Sequence, residues 1–169
     1  VAFTRSNKMT ATDLKDISNK LLNYVSVTSP ELTDRQIADY YLADPATYKK
    51  TVEGLPKDKR FDSDGNLLSE SELYNNAAES IASEKMTYSE DEKKAIYIFN
   101  QLNAVGNFAT GNIQTDPLND TQIAVIASAS KELQGISIST SWDRKVLDTS
   151  LSSIVGSVSS EKSGLPAED

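Results

Sequence analysis

The apolar positions between residues 10 and 134 recur every three or four residues, which is the spacing of a helix face that packs against a core. Proline interrupts the pattern at Pro45, because the residue before a proline is disfavoured in the helical conformation. The pattern therefore predicts five or six helices, one of them short and running from Pro45 to about Gly54. The predicted core faces are Leu14, Ile17, Leu21 and Val25; Ile37, Tyr40 and Tyr41; Leu73, Ala77 and Ile81; Ala95, Ile96, Phe99 and Leu102; and Ile123, Ile126 and Ala127.

The starts of these helices carry a repeated polar pattern. A Ser, Thr or Asn is followed three residues later by Glu, Gln or Asp, the pattern of a capping box, in which two side chains bond to free backbone N–H groups. Ser89 with Glu92, preceded by Tyr88, is a weaker copy, and Thr10 uses the shorter acid. The predicted caps are Thr10 with Asp13, Thr33 with Gln36, Ser69 with Glu72, Ser89 with Glu92, and Asn119 with Gln122.

The two ends of the chain have strand-like patterns instead. Residues 1–5 read as the end of a strand, residues 107–114 as an extended segment, and residues 135–142 alternate Ile with Ser. The sequence therefore predicts an α+β fold: a mainly helical head is inserted between short strands at the N- and C-terminal ends. We expect one domain over residues 1–158, with the head helices at about 10–106, an extended segment and a helix at 107–134, a strand at 135–142, and a polar linker at 159–169.

Composition excludes several kinds of chemistry. The 169 residues include no cysteine and no histidine, so thiolate catalysis, disulfides, imidazole ligands and Ser-His-Asp triads are excluded. The net charge is −8, and residues 61–100 hold nine Asp and Glu against three Lys. Without a basic stripe the chain is not expected to bind nucleic acid, and no apolar run is long enough to span a membrane. Because the chain begins at Val1, we expect it to be an excised or processed piece. No motif indicates a cofactor.

Ser128 and Lys131 form a Ser-x-x-Lys tetrad, the nucleophile pattern of the penicillin-reactive serine enzymes. The last predicted helix includes this tetrad, so both side chains are expected to share a face. The Ser-x-Asn motif of those enzymes is missing, and Lys162-Ser163-Gly164 follows too closely to enclose a catalytic domain. We therefore interpret the tetrad as a decoy on a solvated helix face.

Three other candidate sites have structural explanations. Residues 62–72 are rich in Asp and Glu, but with Gly65 at the sixth place of a calcium loop the first and twelfth places fall on Arg60 and Ser71, so we expect a turn there. The acids Glu90, Asp91 and Glu92 stand in the first turn of a helix, where the dipole favours them. The seven tyrosines could line a groove, although most lie on core faces. Trp142, beyond the alternating strand, is a candidate for a partner contact.

Three stretches of the chain resemble the N-terminal, non-catalytic region of the class B penicillin-binding proteins. They are VAFTRSNKMTATDLK (1–15), LNAVGNFATGNIQTDPLND (102–120) and GISISTSWDRKVLDTSLSSIVGSVSSEKSGLPAED (135–169). In that family a membrane helix precedes this pedestal or dimerisation region, and a transpeptidase domain follows it. The family also carries an Arg, a Tyr-Pro pair and a small-residue helix that ends in Gly. Arg144 and Gly156 resemble the two ends of this motif, with Val146 and Leu147 in place of Tyr-Pro.

The resemblance implies a function in cell-wall synthesis without catalysis by this chain. It implies a pedestal on the extracellular face of the cytoplasmic membrane, which holds its own C-terminal D,D-transpeptidase domain and contacts a SEDS-type glycan polymerase and other wall-synthesis proteins. The membrane would be reached only through the N-terminal helix. Trp142, Arg144 and Gly156 are then interface or structural residues. The alternatives are a free-standing extracellular adaptor or wall-binding module, and a Ser-Lys acyltransferase.

Overall fold

The computed structural model describes residues 1–28, 31–84, 87–129 and 131–138 of the chain. This part contains six α-helices, one 3₁₀ turn at Lys57–Lys59 and one three-stranded antiparallel sheet, which confirms the mainly helical α+β prediction. No helix among the described residues is long and apolar enough to cross a bilayer. The elements in chain order are β1 (Ala2–Thr4), α1 (Ala11–Leu21), α2 (Asp34–Leu42), α3 (Pro45–Gly54), α4 (Glu70–Ser83), α5 (Glu90–Ala104), β2 (Thr110–Asn112), α6 (Asp120–Ser128) and β3 (Ile136–Ser137).

Five of the six described helices begin at the cap that the sequence predicts. All five predicted capping boxes have both of their hydrogen bonds, and this includes the Ser89 box, which was expected to be the weaker copy. Helix α3 begins differently: Pro45 occupies its first turn, and Asp44 accepts a 2.8 Å hydrogen bond from the backbone N–H of Thr47. Proline suits this position because its missing N–H has no partner in the first turn of a helix.

The main core lies between α1, α2, α5 and the sheet. Helix α5 is its centre, and the Phe99 ring meets the Tyr40 ring edge-on at 5.5 Å between centroids. Most predicted core positions are buried, but Ile37, Tyr41 and Ile123 are half-buried and the prediction for Ala127 is wrong, since it is exposed. A second, smaller cluster joins α2 to α4 and consists of Ala38, Leu42, Ala77, Ala78 and Ile81.

The sheet has the order β2-β1-β3, so the N-terminal strand lies in the centre. Phe3 of β1 pairs with Gly111 on one side and with Ile136 on the other. The Phe3 side chain is fully buried and belongs to the main core. Strand β3 covers the start of the predicted 135–142 strand, and positions 139–142 lie outside the described residues.

Candidate interaction surface

The best-defined site outside the helical core is the seam between β1 and β3, at which the described chain leads into residues 139–169. Ala2 pairs with Ser137 in antiparallel register, and the N–H of Thr4 donates a 2.8 Å hydrogen bond to the carbonyl of Gly135. The same register brings Val1 opposite Ile138. The first residue and the C-terminal end of the described chain therefore lie at the same end of the sheet.

Gly135 makes the close approach of these strands possible. Its φ is +83°, a conformation that side chains other than glycine rarely adopt, and an added Cβ would come within 2.5 Å of the Thr4 carbonyl oxygen. Leu133, two residues earlier, is fully buried in the main core. Burial of Leu133 fixes the chain before the glycine, and pairing with β1 fixes it after the glycine. These two constraints determine the direction of β3.

Arg5 joins the sheet to the end of α5. Its Nη1 donates to the carbonyl oxygens of Asn103 and Val105, each at 3.1 Å. Carbonyl groups in the last turn of a helix lack helical partners, and a cation there also favours the helix dipole. The backbone N–H of Arg5 meanwhile donates to Ala109 at 3.0 Å. One residue thereby holds β1, the end of α5 and the loop before β2 together.

The residues predicted to form the interface lie beyond this seam. Trp142, Arg144 and Gly156 are all outside the described residues, so their roles stay predictions. In the sequence their segment follows β3, and Ile138 is the last described residue before it.

The predicted helical geometry of Ser128 and Lys131 is wrong. Helix α6 ends at Ser128, and Ala129 caps it with ψ of 15°, so Lys131 follows the helix instead of sharing a face with Ser128. The hydroxyl of Ser128 donates to the Val125 carbonyl at 2.7 Å. The chain leaves the helix at this point because Leu133 turns back into the core.

The acidic candidates are engaged in local structure. Glu90 pairs with Lys93 at 2.7 Å, and this hydrogen bond and charge hold the pKa of the Glu90 carboxyl below its ordinary value. The Asp62 carboxylate accepts the backbone N–H groups of Asn66 and Asp64 at 2.8 and 3.0 Å. The predicted turn around Gly65 is present, with φ of +84°. Among the described residues no group of three or more acidic side chains is placed to hold a metal ion.

Sequence reasoning missed two exposed apolar positions. Phe108 is 76% exposed and has a φ of +63°, held by a 2.8 Å hydrogen bond from its N–H to the Arg5 carbonyl. Leu67 is 61% exposed and bridges to Phe61 across the Gly65 turn. The only local signal was the Gly- and Asn-rich composition of both loops, which indicates turns without indicating which side chain is turned outward.

Comparison with known proteins identifies the class. The sequence model of the family described as the penicillin-binding protein dimerisation domain matches residues 1–169. The chain belongs to this family, which confirms the resemblance seen in the sequence, and a dimerisation domain implies protein–protein contact. It is 75% identical over 169 residues to penicillin-binding protein 2B of Streptococcus pneumoniae (strain R6), covering all of this chain and 25% of that protein.

Two further comparisons agree. The chain is 25% identical over 170 residues to penicillin-binding protein 2A of Bacillus subtilis (strain 168), covering 99% of this chain and 23% of that protein. A solved structure of penicillin-binding protein 2B from S. pneumoniae (strain 5204) superposes with a TM-score of 0.73 at 71% identity, over 98% of this chain and 25% of the other. The chain therefore spans about a quarter of the length of the relatives it matches.

Proposed function

We propose that this chain is the non-catalytic pedestal of a membrane-anchored peptidoglycan D,D-transpeptidase. In this function it positions the catalytic domain on the extracellular face of the cytoplasmic membrane and presents its helical head to partner proteins. The family match and the likeness to penicillin-binding protein 2B support the proposal. The proposal includes the division of the chain into a domain over 1–158 and a linker over 159–169 that leads to the transpeptidase domain.

One structural observation carries the proposal. Ala2 and Ser137 pair at one end of the sheet, while helices α1 to α6 lie between them in the sequence. This arrangement suits a pedestal, because the N-terminal strand and the strand that leads toward residues 139–169 are then held in one sheet. Arg5 and Gly135 give that support its fixed geometry.

The contact with the catalytic domain is assigned to the segment after β3. Arg144 and Gly156 resemble the two ends of the family motif that packs the pedestal onto that domain, and Trp142 is a large amphipathic side chain of the kind enriched in interfaces. The head helices would contact a SEDS-type glycan polymerase and other wall-synthesis proteins. Residues 61–100 hold nine Asp and Glu against three Lys, a net charge of −6, which would keep this part of the head away from anionic lipid.

The proposal is tested by reconstitution. The 169-residue chain is mixed with a separately produced transpeptidase domain of the relative it resembles, and co-elution is measured by size-exclusion chromatography. We expect a complex that Arg144→Ala weakens by about tenfold or more, the loss typical of a central interface residue. Lys145→Ala is the matched control, since it removes a neighbouring charge at a position that the motif does not specify.

Failure to co-elute, with circular dichroism showing a folded chain, would contradict the pedestal. It would favour a free-standing extracellular adaptor or wall-binding module. Equal weakening by Arg144→Ala and Lys145→Ala would contradict the assignment of the contact to the family motif and leave a general charge effect as the explanation.

A further inference from the structure

A cavity of about 380 Å³ lies between helices α2, α3 and α4. Its volume falls within the range of small-molecule sites. It lies in the helical head and shares no lining residue with the seam between β1 and β3. Its lining combines apolar, hydroxyl and charged side chains, which are Tyr41, Thr47, Lys50, Thr51, Gly54, Ser80, Ile81 and Glu84.

Helix α3 turns a polar face toward this cavity. Thr47, Lys50, Thr51 and Gly54 follow one another at helical spacing and all line it. The apolar side chains of α3 point elsewhere, because Tyr48 and Val52 pack against the second cluster. Packing of the helix is therefore achieved without this face, which is free to have another use.

Gly54 is the least expected residue of that face. It ends α3 without a positive φ, and an added Cβ would have no atom within 4 Å. Neither backbone conformation nor close packing therefore requires a glycine, and alanine would favour the helix. Gly54 is part of the cavity wall, so the absence of a side chain at this position leaves that part of the cavity open.

The polar groups of the cavity can accept hydrogen bonds from a hydroxylated ligand. The Thr51 hydroxyl donates to the Thr47 carbonyl at 2.8 Å and the Thr47 hydroxyl to Asp44 at 2.6 Å, so both oxygens present lone pairs to a ligand's O–H or N–H groups. Buried Ile81 provides an apolar surface. Lys50 and Glu84 form no ion pair with any residue in the described ranges, which leaves a cation and an anion at the same cavity.

We propose that this cavity binds a fragment of cell-wall glycan that carries its peptide. Hydroxyl and acetamido groups would bond to Thr47, Thr51 and Ser80. The less polar face of a sugar ring would lie on Ile81 and Tyr41, and a peptide carboxylate would pair with Lys50. The choice of glycan rests on the proposed function, because a pedestal of a wall-synthesis enzyme works beside its polymer.

The probes are N-acetylmuramyl dipeptide, which carries a carboxylate, and N,N′-diacetylchitobiose (below, chitobiose), which is neutral. Each is titrated into the 169-residue chain to about 10 mM, which detects millimolar dissociation constants, while backbone amide shifts are recorded. We expect shifts confined to Tyr41 and to residues 47–54 and 80–84. Lys50→Gln should weaken the dipeptide by about tenfold and leave chitobiose unchanged, whereas Lys49→Gln, outside the cavity on the same helix, should change neither.

Gly54→Ala separates a binding role from a structural one. We expect it to raise the thermal midpoint by about 2 °C, because alanine favours a helix, and to weaken both probes by about tenfold. The proposal is overturned if neither probe shifts these amides, if the shifts fall elsewhere, or if Gly54→Ala raises the midpoint and leaves affinity unchanged. Co-elution with the transpeptidase domain is measured on the unsubstituted chain and on the same variants. If the unsubstituted chain co-elutes but binds neither probe, the glycan site is contradicted and the proposed pedestal function is left intact.

Discussion

At the residue scale, Gly135 shows how a single backbone position determines the seam. The turn between Leu133 and β3 needs a φ of +83° within contact distance of the Thr4 carbonyl. Any side chain there is strained and also collides with backbone, which cannot move aside as the end of a flexible side chain can. The pairing of β3 with β1 therefore depends on the absence of one methyl group.

Gly135→Ala is expected to destabilise the chain by about 1–3 kcal/mol, the cost of a non-glycine residue held in a disfavoured conformation. Urea unfolding followed by circular dichroism measures it. Gly106→Ala is the control, because a Cβ at Gly106 would have no atom within 4 Å and its φ is not positive. Equal losses of unfolding free energy in the two variants would show that the close contact of residue 135 with the Thr4 carbonyl does not require a glycine.

The carboxylates of the capping boxes give stability a dependence on pH. The Ser69 hydroxyl and N–H, which bond to Glu72 at 2.6 and 3.0 Å, hold the pKa of that carboxyl below its ordinary value, and Ser89 does the same to Glu92. A depressed pKa in the folded state stabilises the fold above the unfolded pKa, about 4.3 for glutamate. This contribution is lost as the pH falls through the folded value.

We therefore expect the thermal midpoint to decrease as the pH falls below about 4.3. Glu72→Gln with Glu92→Gln should make this decrease shallower, because glutamine can form the same cap without titrating. Helices α2 and α6 already use Gln36 and Gln122 in this way. Thermal melts between neutral and acid pH measure the slope, and an unchanged slope in the double variant would refute the assignment to these caps.

At the element scale, the helix starts were predictable and one helix end was not. A capping box is complete within four residues, so its side chains report a helix start without reference to the rest of the molecule. The end of α6 depends on a distant requirement, the burial of Leu133 in the main core. Residues 128–134 are compatible with a longer helix, and for this reason periodicity overextended it through Lys131.

Helix α5 is the element on which the main core depends. Phe99 is 1% exposed and meets Tyr40 of α2, so Phe99→Ala is expected to cost about 3–5 kcal/mol through lost burial and a cavity. Phe108→Ala makes the same truncation at an exposed side chain and should change the free energy of unfolding by no more than about 0.5 kcal/mol. Urea unfolding of both variants measures the difference, and similar losses would contradict the central position of α5.

At the scale of the whole molecule, the fold class and the family were predictable, but the arrangement of the sheet was not. Residues 1–5, 107–114 and 135–142 each had a strand-like pattern, yet nothing local indicates that the first strand lies between the other two. That order is set by pairing across more than 100 residues of sequence. Arg5 was likewise unpredictable, since its carbonyl partners belong to a helix that ends almost a hundred residues later.

The molecule as a whole is expected to form no covalent adduct with penicillin. Ser128 ends α6 and bonds to Val125, and Lys131 follows the helix, so the two do not form the face that a Ser-Lys pair requires. Intact-mass spectrometry after incubation with penicillin measures this. A mass increase that Ser128→Ala abolishes would revive the acyltransferase interpretation.

The opposed positions of Val1 and Ile138 also determine how the sheet responds to tension. If the chain is pulled from both sides, the load falls on the adjacent ends of two antiparallel neighbours, and their hydrogen bonds break one pair after another. Strands loaded at opposite ends would share the force among all their bonds. This sheet therefore opens like a zipper at low force, and once β3 has separated, the pairing of β1 with β2 carries the load next.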